Sequence, residues 1–289
     1  MNECISVIIP TYNSAHTLRE CIDSVCAQSY PDIQIIIVDD GSTDNTAELV
    51  RKFYDANPLV KYIRIGHTGF EGAVRNEGIR NAKGTFISFL DADDYWHKDV
   101  LSELMNSLKS AKNARIAYGG LQFVGGDNNG KFVHDLRKPH SGYVFYNMLE
   151  QNFMPIHPAL LYRDVIEAYG CFNESIRIGP DYEFWLRMVY HVEVIFSPKA
   201  IGYYRISTGS VFHRADRIIR NEQLLMVLYS VKRLYNVRYF IIYKRLAVVS
   251  LTLLSLRLKE LNLTKCCGAL SLFIMYSILY YFSKWCKLK

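Results

Sequence analysis

At 289 residues, half of them hydrophobic and 21% charged, the chain is too apolar for a disordered polypeptide and long enough for one large domain or a domain with an appendage. Its formal charge of +6 is unevenly placed: Arg217 to Lys289 holds 13 Lys/Arg and 2 Asp/Glu, a local +11, which leaves the first 216 residues at −5. The seven cysteines show no CxxC pairing and no zinc spacing, which speaks against a disulfide scaffold or a zinc finger and fits reduced thiols in a cytosolic protein.

In chain order, "MNECISVIIP" lacks the basic start and long apolar core of a signal peptide, so the globular part is expected in the cytoplasm. "CISVII" (4–9), "IQIIIV" (33–38), "VKYIRI" (60–65) and "TFISFL" (85–90) are short, rich in β-branched or aromatic residues, and predict strands. Between them "AHTLRECIDSVCAQ" (15–28), "NTAELVRKFYDA" (45–56) and "GAVRNEGIRNA" (72–82) repeat apolar residues at three-to-four spacing and predict helices. The order βαβαβαβ implies a mostly parallel sheet with right-handed crossovers and helices on both faces. Ligands of such sheets bind beyond the carboxyl ends of the strands, here Pro10–Asn13, Asp39–Asp44, Gly66–Gly72 and Asp91–Asp94. "GGDNNG" (125–130) reads as a hairpin tip between "IAYGGLQFV" and "KFVHDL". Residues 143–200 read as mixed short elements with a helix over 181–191. After about residue 215, "LLMVLYSVKRLY", "YFIIYKRLAVVSLTLLSLRL" and "CCGALSLFIMYSILYYF" follow without proline.

The first loop, "PTYNSAH", is not glycine-rich, and neither GxGxxG after the first strand nor GxxxxGK[ST] occurs. A bound nucleotide must then be held by side chains and a metal. In "VDDGSTD" (38–44), Gly41 makes a turn and Thr43 or Asp44 caps the next helix, but capping does not explain two adjacent acids at a strand end. In "DADD" (91–94), Asp91 and Asp93 project to one side of an extended chain, the arrangement a hard Mg²⁺ or Mn²⁺ ion shares with substrate phosphates. Asp94 has a plainer reading as a cap for the helix that "HKDVLSELMNSLK" begins. Asp181 of "GPDYEFWLR" is either an N-cap, with Glu183 and Arg187 as an i,i+4 pair, or a general base kept ionised by a helix N-terminus.

The stretch "SVIIPTYNSAHTLRECIDSVCAQSYPDIQIIIVDDGSTDNT", then "GAVRNEGI", "GTFISFLDADDYW", "YGCFNES" and "GPDYEFWLR", resembles glycosyltransferase family 2 over residues 4–205. The resemblance implies a GT-A fold and inverting transfer of a sugar from a nucleotide-sugar, with a UDP-sugar the leading donor and a hexosyl or N-acetylhexosaminyl group moved. It implies that Asp40 contacts the nucleotide base and that Asp91 and Asp93 bind the ribose and a Mn²⁺ or Mg²⁺ ion, Asp93 as direct ligand. Asp181 is then the catalytic base. Arg75 lies near the donor, although "AVRN" shifts the family's usual register, and "GP" stands before Asp181 where many members carry an acid. Pro10 and Tyr12 of the first loop join the substrate-binding set. Arg205, within "YYRISTGSVFHR", is expected near the diphosphate. His213 is a possible third metal ligand or a surface residue.

The resemblance gives a catalytic domain over 1–215, with a nucleotide half (1–100) and an acceptor half (101–215), followed by a basic helical tail (216–289). Acceptors of such enzymes are glycolipids or saccharides under assembly for bacterial surface polysaccharide, including lipopolysaccharide. The rival readings are a nucleotidyltransferase, disfavoured by the lack of a basic glycine-rich first loop, and a non-catalytic nucleotide-sugar-binding scaffold. In the tail, 266–283 gives 18 uncharged residues, the lower limit for a spanning helix, and 239–258 is interrupted by Lys244, Arg245 and Arg257. That pattern suits helices lying on the inner face of the cell membrane, against the plainer reading of packing or dimerisation. Cations set between apolar runs suit lipid better than nucleic acid.

Overall fold

The computed structural model describes residues 3–206, 217–235, 239–259 and 263–285. The first part runs β1 (Ile5–Thr11), α1 (Leu18–Cys26), β2 (Ile33–Asp39), α2 (Thr46–Tyr54), β3 (Val60–Arg64), α3 (Glu71–Asn81) and β4 (Phe86–Phe89). β1 pairs in parallel with β2 and β4, and β2 with β3, as the alternating pattern predicts. Every residue of β1 is buried, because helices cover both of its faces. Ile5, Val7 and Ile9, with Ile33, Ile35 and Ile37, share one core with Leu18, Ile22 and Val25 of α1. On the other face α3 lies so close to β1 that a Cβ on Gly78 would stand 2.3 Å from Ile8 Cγ2.

The chain continues through β5 (Tyr95–Trp96), α4 (Val100–Ser110), β6 (Ala114–Val124), α5 (Val133–Leu136), α6 (Phe145–Glu150), β7 (Ala159–Tyr162), α7 (Arg163–Tyr169), α8 (Pro180–His191) and β8 (Glu193–Arg205). The described strands form one sheet in the order β3-β2-β1-β4-β7-β6-β8-β5. β7 runs antiparallel between β4 and β6 and welds the two halves into one mostly parallel α/β sheet. The hairpin expected at 125–130 is only a tip. Its return arm makes one bridge, Phe132 to Gln122, and then coils into α5. β6 takes its long partner from far along the chain, pairing in parallel with β8 up to Val124–Arg205. The register shifts between Gly119 and Gly120, where a Cβ on Gly119 would meet Ala200 O at 2.1 Å. That bulge is what lets β8 run on and deliver Arg205.

Two compact units emerge: Met1–Val144 with Phe153–Ser207, and Phe145–Asn152 with Thr208–Lys289. The second joins α6 to three long helices, α9 (Arg217–Leu234), α10 (Tyr239–Lys259) and α11 (Leu263–Trp285). Its centre is aromatic: Tyr276 of α11 stacks on Tyr243 of α10 at 6.0 Å and lies 5.9 Å from Tyr229 of α9. Among the described residues no helix is long and apolar enough to cross a membrane.

Candidate active site

The site gathers at the carboxyl ends of β1, β2 and β4. The loops after β1 and β2 are stitched to each other. Asn13, at φ +48, accepts bonds from Thr43 N at 2.8 Å and Asp44 N at 3.3 Å, while its own N–H donates to Ser42 Oγ at 2.8 Å. The two adjacent acids divide the work. Asp39 accepts the Ser42 N–H at 2.8 Å and a very short bond from Tyr62 Oη, so it holds the turn. Asp40 is buried and accepts the Thr68 and Gly69 N–H groups at 2.7 and 2.9 Å, with His67 Nδ1 3.0 Å from Oδ2. The His67 ring stacks on Tyr12 at 4.3 Å and 23°, leaving Tyr12 46% exposed. Asp40 thus fixes the loop after β3 beneath an aromatic surface wide enough for a planar base. Pro10 is buried inside β1, paired with Val38.

The "DADD" acids also sit differently. β4 stops at Phe89, and Asp94 N–H bonds to Asp91 O at 3.0 Å, so a turn rather than an extended strand displays them. The alternation argument for Asp91 and Asp93 therefore does not apply. Asp94 does not cap α4, which begins at Val100 with Asp99 before it. Asp94 is fully buried; Oδ2 lies 2.7 Å from His157 Nε2, and Oδ1 accepts the Arg205 N–H at 2.8 Å. Trp96 Nε1–H points at His157 Nδ1 at 3.4 Å, which makes Nδ1 the acceptor and assigns the ring proton to Nε2, toward Asp94. This pair buttresses the turn from behind, and its two members lie too far apart in the chain to leave a local motif. Asp91 faces forward, where its Oδ1 accepts a 2.6 Å bond from Arg75 Nη2. Asp93 is half-buried and has its pKa pushed up to about 7, first by desolvation and then by the charges of Asp94 and Asp91.

Arg75 is 1% exposed and central. Besides Asp91, its Nη1 lies 3.1 Å from Glu71 Oε2 but off the hydrogen-bond line, and Nε and Nη1 have no hydrogen-bond partner. Its neighbour Asn76 pins a remote loop, donating to Phe172 O at 3.0 Å and accepting Phe172 N–H at 2.9 Å. Phe172 in turn stacks on Phe184 of α8 at 4.1 Å. Through this chain α3 sets the position of α8, whose first turn carries Asp181 behind Gly179 (φ +66) and Pro180. Burial raises the Asp181 pKa, Arg75 opposes the shift, and Asp91 adds to it, so the three groups share one electrostatic neighbourhood. Glu71, half-exposed at the start of α3, belongs to it too: partial desolvation raises its pKa, Arg75 lowers it, and Asp91 and Asp181 raise it further. The expected Glu183–Arg187 pair is present, and Arg187 also donates to the carbonyls of Tyr169, Gly170 and Cys171.

Arg205 is brought to the acids by its backbone, while its guanidinium pairs with Glu20 and lies 4.7 Å over the Tyr95 ring. His213 lies outside the described residues. Among those described, Asp91, Asp94 and His157 bring ligand-type atoms within 4.8 Å of one another. His157 is already engaged by Asp94 and Trp96, so the oxygens of Asp91 and Asp93 on the same turn are the donors that suit a hard divalent cation.

Comparison with known proteins shows the family and the fold. The family model described as "Glycosyl transferase family 2" matches residues 6–170. An uncharacterized glycosyltransferase of Rickettsia bellii is 31% identical over 68% of this chain, which spans only 29% of that relative's length. Among solved structures, S. aureus TarS 1–349 in complex with UDP-GlcNAc superposes with a TM-score of 0.74 at 21% identity, over 94% of this chain and 81% of that one. The mannosyltransferase PcManGT of Pyrobaculum calidifontis, in complex with GDP-Man and Mn²⁺, gives 0.61 at 18% identity over 97% and 84%. At these identities the two likenesses show the fold.

Proposed function

The chain belongs to glycosyltransferase family 2, and on that premise we propose that it inverts the anomeric centre of a nucleotide-sugar, with UDP-sugar the donor class, as it transfers the sugar to an acceptor hydroxyl. The observation that carries this reading is the 2.6 Å bond between Asp91 and the buried Arg75 at the carboxyl end of the sheet, with Asp181 close enough for its charge to be felt by both. Tyr12 and Asp40 form the base end of the donor site, and Asp91 and Arg75 its ribose and phosphate end. Asp91 and Asp93 would hold a Mn²⁺ or Mg²⁺ ion. That ion, when bound, offsets the charge that develops on the departing diphosphate. Asp181 accepts the acceptor's hydroxyl proton as the oxygen attacks the anomeric carbon from the face opposite the leaving group. No enzyme nucleophile is required.

Glycolipids or saccharides of bacterial surface polysaccharide are the acceptor class proposed, with catalysis in the unit that ends at Ser207 and a membrane-surface role for the helices beyond it. UDP bound to TarS and Mn²⁺ bound to PcManGT support the donor and ion classes. The test is release of nucleoside diphosphate from a panel of nucleotide-sugars with Mn²⁺ and a lipid-linked saccharide, with the product's anomeric configuration read by NMR. Retained configuration, or no diphosphate release from any donor, overturns the proposal.

A further inference from the structure

Helix α11 is apolar on two opposite faces, and its own bundle covers one of them. The inward face carries Ala269 and Tyr276, both buried, with Tyr276 against Tyr243 and Tyr229. The outward face carries Leu270, Ile274, Met275 and Ile278, exposed by 43%, 48%, 42% and 63%. Their spacing of i, i+4, i+5 and i+8 makes one stripe about two turns long. Cys267 and Ser271 lie beside it without adding charge. Helix α10 exposes two apolar residues, Val248 and Leu251, with the cation Lys244 one turn before them. A helix that is apolar all round is normally buried, and an exposed stripe of this kind marks a surface made for contact.

Charge selects the occupant. Residues 217–289 hold 13 Lys/Arg and only Glu222 and Glu260 as acids. Two copies meeting on this face bring two such +11 segments together, whereas an anionic lipid surface is drawn by the same charge. Each near-surface Lys or Arg multiplies partitioning to anionic bilayers by roughly fivefold. We propose that the outward face of α11, with Val248 and Leu251 of α10, docks on an anionic bilayer surface. The helices then lie in the plane of the membrane, their apolar side chains at the acyl boundary and their cations among the phosphates. No described helix is long and apolar enough to cross, which suits a surface-lying mode. The inference is independent of the donor and of the transfer chemistry.

The test is flotation of the full chain with vesicles of phosphatidylcholine alone and of phosphatidylcholine mixed with phosphatidylglycerol, at low and high salt. The wild type is expected to float with the phosphatidylglycerol vesicles and to be released by salt. The double variant Ile274→Gln/Ile278→Gln leaves the charge untouched and removes two anchors, so its partitioning falls about tenfold or more. Unchanged circular dichroism and thermal midpoint verify that these exposed positions do not disturb the fold. A wild type that stays with the protein fraction in both lipids, or a variant that floats equally well, overturns the proposal. So does sedimentation as a dimer that the variant dissociates, which assigns the face to a second copy.

Discussion

Asp181 is placed where burial works against its ionised form, yet a general base has to be ionised to act. Its pKa is raised in the folded protein, chiefly by burial, with Arg75 opposing. Over the pH range between its ordinary value and that raised value, the folded protein holds a proton the unfolded chain has released. Stability therefore falls as pH rises through that window, and the penalty is complete above it. Asp181→Asn is thus expected to leave the thermal midpoint at neutral pH equal to or above that of the wild type. Turnover falls about 10²–10⁴-fold with donor affinity retained. Calorimetry and steady-state kinetics on one preparation check both; near wild-type turnover removes Asp181 from the mechanism. The Asp94–His157 pair gives the opposite sign. His157→Ala leaves a fully buried carboxylate with only the Arg205 N–H, and costs about 3–5 kcal/mol of stability. Adding Asp94→Asn to that variant recovers part of the loss, because the stranded charge is gone. Urea unfolding of both variants measures it, and additive losses would show that the two side chains are not coupled.

At the scale of elements, α3 does two jobs that depend on how closely it rides on β1. Gly78 permits that approach, and Arg75 and Asn76 on the same helix reach Asp91 and Phe172. Gly78→Ala forces its methyl group into Ile8 and lifts the helix, at a cost of about 1–3 kcal/mol. Ile8→Ala in the same chain makes room and brings the double variant above the sum of the singles, a comparison that denaturant titration resolves. The elements up to β4 were legible in the sequence, because each strand or helix there is written in its own periodicity and joined to its neighbour by a short turn. β6 with β8 was not, since parallel pairing between distant segments leaves no local mark and "KFVHDL" offered a nearer partner. The same limit governs the site. Asp91, Arg75 and Asp181 were legible through recurring motifs, whereas Asp94 read as a helix cap because its true partner, His157, lies 63 residues away.

For the whole molecule, the residues proposed to touch the donor all fall in the unit Met1–Val144 with Phe153–Ser207, on loops that leave several strands of one sheet and, for Arg75, on helix α3. A ligand that bridges those loops stabilises the folded unit by mass action, by about 2.7 kcal/mol at a free concentration of 100 times Kd. For a unit of this size that is a rise in midpoint of roughly 5–10 °C. Three acids crowd the turn after β4, and burial, with the charges of Asp94 and Asp91 added to it, holds Asp93 near pKa 7. Nucleotide phosphates brought to that turn add to the repulsion unless a cation comes with them. UDP alone is therefore expected to raise the midpoint little, and UDP with Mn²⁺ much more, with EDTA abolishing the difference. Asp93→Ala relieves the crowding, so the ligand-free variant melts no lower than the wild type, but the Mn²⁺-dependent increment disappears. Differential scanning fluorimetry with UDP, Mn²⁺ and EDTA in combination measures all of these. An equal shift with UDP in EDTA would show that cationic side chains such as Arg205 hold the diphosphate without an ion, and would remove the metal from the proposed reaction.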